Sequence, residues 1–105
     1  MEQPNINYIN KLSGDNVAFK SKMIAILKRE LPEETTIYKH QMQFNDFNLA
    51  AQSVHKLKHK ISILGLEKSY YLAERFEDNL KNNDIDLQSS FEEVLVLMNA
   101  FVVKL

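Results

Sequence analysis

The chain has 105 residues, enough for one domain with a single core, and its 45% apolar and 26% charged residues exclude a disordered tail. A net charge of -1 provides no field for nucleic acid, and the absence of cysteine removes disulfides, thiolate metal sites and a thiol nucleophile together. Two Gly and two Pro leave little turn chemistry for a many-stranded sheet, so long helices with few joints are expected.

The first residues, Met1 to Gly14, have neither a basic start nor an apolar run, and nowhere do about 18 apolar residues follow one another. The expectation is a chain without signal peptide or membrane insertion, in a cytoplasmic setting. A short apolar patch of Ile6, Tyr8, Ile9 and Leu12 precedes Ser13-Gly14-Asp15. There Gly14 can close a first helix and Asp15 can cap the next.

From Asn16 to Leu31, Val17, Ile24 and Leu31 recur every seventh residue beside Phe19, Met23, Ile26 and Leu27, the broad apolar stripe of a second helix. Pro32 suits a first helical turn, and Glu33 and Glu34 favour the positive end of a helix dipole, so a separate third helix is expected to start there. It carries Ile37, Tyr38, Met42 and Phe44 and stops near Asn45-Asp46, which are good caps for another helix.

Phe47, Ala50, Val54, Leu57, Ile61 and Leu64 alternate three and four apart, as the seam of a bundle requires. After Gly65 the rhythm resumes with Leu66, Ala73, Phe76 and Leu80 until Asn82-Asn83-Asp84 breaks it. The last segment has Phe91, Val94, Met98, Phe101 and Leu105, with Ser89-Ser90-Phe91-Glu92 as a prospective capping box. These segments predict an all-α fold over residues 1–105. It is an up-and-down antiparallel four-helix bundle with a short additional N-terminal helix, and a monomer is the default.

His55 follows the seam residue Val54, about 100° around the helix, on a stripe with Gln52, Lys58, His59 and Ser62. It should face water. A largely neutral imidazole there has a lone pair able to attack phosphorus, and Lys58 one turn on is placed to neutralise phosphate oxygens.

The string Val54-His55-Lys56-Leu57-Lys58-His59-Lys60-Ile61-Ser62-Ile63-Leu64-Gly65-Leu66 resembles the signature of histidine-containing phosphotransfer (HPt) domains: His, any residue, Leu, Lys, Gly, then a second Gly. Leu12-Ser13-Gly14-Asp15, Glu30-Leu31-Pro32 and Asn45-Asp46-Phe47 resemble the family's helix junctions, so the likeness extends over almost the whole chain. It implies that His55 is the phosphoacceptor, Leu57 the buried leucine, Lys58 the phosphate-facing lysine and Gly65 the residue that closes the helix. His59 departs from the pattern by standing where the family usually has Gly. It would narrow the range of partners, add a second hydrogen-bond donor to the phosphoryl group, or mark an inactive variant.

In an antiparallel hairpin, residues equally far from the Gly65 turn lie side by side, which puts His55 opposite about Arg75 and Glu77 offset by only ~3 Å. The family often has a polar group near this point that orients the imidazole. Glu77 is therefore expected to accept the Nδ1 proton and leave Nε2 as nucleophile.

The resemblance further implies a phosphocarrier without turnover of its own. Its partners would be response-regulator receiver domains or a hybrid sensor kinase, with magnesium supplied by the receiver and no cofactor of its own. Candidate docking residues around His55 are Ala51, Gln52, His59, Ser62, Ile63 and Tyr70. One rival is a degenerate bundle that binds a receiver or kinase as a scaffold or inhibitor. A second is a metal site on His55 and His59, four apart, joined by His40; Lys58 and Lys60 would repel its cation.

Overall fold

The structure is a computed structural model that describes residues 2–105. Five helices follow one another: α1 (Asn7–Ser13), α2 (Val17–Gln43), α3 (Phe47–Ile63), α4 (Glu67–Lys81) and α5 (Gln88–Val102), with no strand among the described residues. Helices α2 to α5 close a four-membered ring in which α2 packs on α3 and α5, and α4 packs on α3 and α5, while α1 packs on α2. Short connections make chain neighbours antiparallel, which is the expected up-and-down bundle.

The junction at Pro32 corrects the sequence reading. Instead of two helices meeting there, α2 runs unbroken for 27 residues with Pro32 inside it. An interior proline forfeits one backbone hydrogen bond, a cost of about 3 kcal/mol. Packing offsets it, because Leu27, Leu31, Thr35, Tyr38 and Met42 form one continuous buried stripe across the proline, whose ring faces solvent. Two further boundaries differ. Asn16, not Asp15, caps α2 by accepting from the Phe19 N–H at 2.9 Å, and α5 begins at Gln88, so no serine caps it.

Three helix ends share one geometry. After α3, Gly65 N–H donates to the Ser62 carbonyl at 3.1 Å and Leu66 N–H to Ile61 at 3.2 Å, a Schellman closure with Gly65 at φ 75°. Asn45 (φ 57°) after α2 and Asn83 (φ 60°) after α4 repeat it, because asparagine tolerates the left-handed conformation. Asp46 and Leu66 then serve as the first caps of α3 and α4, so each turn spans only three residues. Gly65 has an added steric reason: a Cβ there would lie 2.7 Å from the Asn5 side chain.

Tyr38, Phe76 and Phe91 form the middle of the core, with ring centroids 5.1–6.3 Å apart. The Tyr38 hydroxyl donates to Glu92 at 3.0 Å, which keeps a phenol inside an apolar cluster satisfied. Burial first, and the Glu92 charge second, hold that phenol protonated well above its usual range.

Candidate phosphoacceptor site on the α3–α4 hairpin

His55 stands near the middle of α3 with 54% of its side chain exposed. Its Nδ1 lies 3.2 and 3.3 Å from the two oxygens of Glu77 on α4. A carboxylate only accepts, so Nδ1 presents a proton to it, and in a neutral ring this leaves the lone pair on Nε2, across the ring. The Gly65 turn sets this register, as counting outward from it indicated.

Glu77 is 9% exposed and gathers three cationic or polar donors. Besides His55, Lys58 Nζ donates at 3.1 Å and Lys81 Nζ, one turn on along α4, approaches to 3.7 Å. Burial pushes the carboxyl toward the neutral form, but the Lys58 and His55 hydrogen bonds and charges outweigh it and hold Glu77 below its usual range. It is therefore an anion at neutral pH, positioned against the imidazole edge.

Lys58 is located differently from the sequence expectation. Rather than sharing the water-facing stripe, it is buried at 9% exposure with its ammonium turned to Glu77, 4.0 Å from Glu74 and 5.5 Å from the Tyr70 ring centre. Burial disfavours its charge, yet the Glu77 hydrogen bond and charge win and raise its proton affinity above the usual lysine value. The reason is angular: at about 100° per residue, Lys58 lies only about 40° from Val54, well inside the apolar stripe.

By the same helical spacing Ala51 lies about 60° from Val54, also inside the apolar stripe. It is buried at 1%, which corrects its place among the docking candidates. Gln52, His59 and Ser62 are exposed, whereas Ile63 and Tyr70 are half-buried and pack against the core. His59 sits one turn beyond His55, with ring centroids 5.3 Å apart and planes near perpendicular. Beside it opens a concavity of about 640 Å³ whose walls include Asn5, Tyr8, Ser62, Tyr70 and Tyr71.

Sequence reasoning missed Glu74 and Lys81, which complete the charge set around Lys58 and Glu77. Their i,i+3 and i,i+4 spacing from Glu77 was a usable signal. It also missed the N-terminal segment: the Glu2 carboxylate accepts from Lys68 N–H at 2.7 Å and Ser69 N–H at 2.9 Å, capping α4 from outside, and Asn5 N–H donates to Leu64. No local pattern announces contacts 66 residues apart. His40 packs against Phe44 at the end of α2 with the rings tilted by 52°, and among the described residues no three His, Asp or Glu side chains are grouped to hold a metal. No described helix is long and apolar enough to cross a membrane.

Comparison with known families matches residues 22–102 to the Hpt domain. The searches of curated proteins and of solved structures give no significant match. The family match takes in α3, α4 and the whole His55–Glu77–Lys58 cluster, and spans well over half the chain. The chain therefore belongs to the Hpt domain family, the phosphocarrier modules that exchange phosphoryl groups with receiver domains in phosphorelays.

Proposed function

We propose that His55 accepts a phosphoryl group from a receiver aspartyl phosphate and passes it to another receiver. The observation that carries this reading is the His55–Glu77 contact at 3.2 Å on a half-exposed ring. As the Nε2–P bond forms, the P–O bond to the aspartate breaks and the carboxylate leaves on the receiver. Positive charge develops on the imidazole, and the Glu77 anion on Nδ1–H meets it without reorganising.

In this proposal Glu77 is a positioning residue. It selects the tautomer and fixes the ring plane, as a carboxylate behind a histidine commonly does. Lys58 acts through it, holding the carboxylate in place. The protein needs no metal for these roles; the phosphoryl chemistry relies on alignment and on the receiver's magnesium, as the family resemblance implies.

The test is to mix the protein with a phosphorylated receiver and follow acid-labile, base-stable label. Wild type and His59→Gln should take up label, and His55→Gln should take up none. Label mapped to His59 would overturn the assignment of His55 as acceptor, and no label on wild type despite receiver binding would replace this reading with that of a degenerate, purely binding bundle.

A further inference from the structure

With Lys58 committed to Glu77, the cation that the family signature places before the phosphate is turned inward, and the group standing free beside the His55 ring is His59. We infer that His59 contacts the phosphoryl group carried by His55 and becomes its charge partner. The inference rests on the phosphoacceptor reading of His55 and extends it to a residue that departs from the family pattern.

Three observations carry it. The His59 ring lies 5.3 Å from the His55 ring, a gap comparable to the reach of a phosphoryl group bonded to Nε2. Its edge-on orientation, 83° between planes, avoids stacking that would cover the acceptor ring. Lys60 is also engaged elsewhere, its Nζ lying 3.0 Å from Glu30 and 3.1 Å from Glu34 on α2, while the exposed Lys56 projects about 100° around the helix from His55.

His59 lines a concavity together with groups of two neighbouring helices. From the neighbouring elements, Tyr8 of α1 and Glu67, Tyr70 and Tyr71 of α4 share its concavity. Along α3, Lys56 and His55 are its neighbours at one turn. A phosphoryl dianion arriving within a few ångströms is a far stronger field than any of these, and favours the imidazolium form of His59. By linkage, protonation of His59 and phosphorylation of His55 then assist one another, so transfer should shift toward this protein as pH falls through neutrality. A glycine at this position, as the family usually has, would leave that linkage out.

The experiment loads His55 of the full chain with phosphoramidate and reads the ring nitrogen shifts of His59 by NMR near neutral pH. The imidazolium-to-imidazole ratio of His59 should rise about tenfold on phosphorylation, the low end of the effect of a charge a few ångströms away at a wet site. His55→Gln treated identically should leave the His59 signals unmoved. In His59→Gln the phosphorus resonance of phosphorylated His55 should shift from its wild-type position and stop responding to the His59 titration. If His55 is phosphorylated and the His59 nitrogens do not move, the inference falls while the phosphoacceptor assignment stands. If phosphoramidate leaves no phosphoryl group on His55, both fall together.

Discussion

Lys58 and Lys60 lie two residues apart on α3, and each buries its ammonium against carboxylates of a neighbouring helix. Lys60 turns to α2, where Glu30 and Glu34 receive it at 3.0 and 3.1 Å, and nothing reactive touches that cluster. Lys58 turns to α4, where Glu77 receives it at 3.1 Å, and the same carboxylate also receives His55. The two ammonium groups are similarly enclosed. Only the second abuts a half-exposed imidazole, so under the proposed function a buried ion pair acts through what its carboxylate holds, not through its own strength.

Substitutions that remove one member from each cluster separate these roles. The largest effect is expected from Glu77→Ala. It strands a buried ammonium, at about 3 kcal/mol by comparison with other broken buried pairs. It also frees the imidazole, so phosphotransfer should slow about 10- to 100-fold, the range for losing a carboxylate behind a histidine. Denaturant melts and a label-transfer time course measure the two separately.

Lys60→Met should lower stability by about 2 kcal/mol, since the half-buried Glu34 is left with neither oxygen partnered, its buried Oε1 being unpaired already. The transfer rate should stay at the wild-type value. Equal slowing in Lys60→Met and Glu77→Ala would erase the contrast between the clusters. Gly65→Ala is a smaller perturbation, of about 1–2 kcal/mol, from a left-handed backbone that alanine resists and from the Asn5 side chain in the way. Asn5→Gly in the same chain should recover the steric part, read as a partial return of the melting temperature.

Acid sharpens the comparison further. Because the folded state holds Glu77 below the ordinary value of 4.5, its contribution is present above that value and is lost as pH falls through the lowered one. Stability measured below about pH 4.5 should therefore drop more gently in Glu77→Gln than in wild type. The smallest expected effect is that of Tyr38→Phe, about 1 kcal/mol for the hydrogen bond to Glu92, with no change in transfer.

Helix periodicity and turn chemistry make the bundle legible in the sequence, and counting outward from Gly65 brings Glu77 to His55. Lys58 is misplaced when its charge alone argues for exposure, although its angle from Val54 already puts it in the apolar stripe. Pro32 misleads in the opposite way, because a local rule for proline gives way to a buried stripe that runs from Leu27 to Met42. The clasp of Glu2 and Asn5 on the hairpin could not be read at all, since it joins segments distant in sequence through backbone groups that any residue would offer.

The three-residue link centred on Gly65 behaves as a gauge block between two rods. One residue added between it and Glu77 would swing the carboxylate about 100° around α4 and slide it about 1.5 Å, out of line with the imidazole. Length changes in this stretch would turn Phe76 and Leu80 out of the core together with Glu77, so fold and chemistry should reject them alike, whereas the loop between α4 and α5 carries no such constraint on the His55–Glu77 pair.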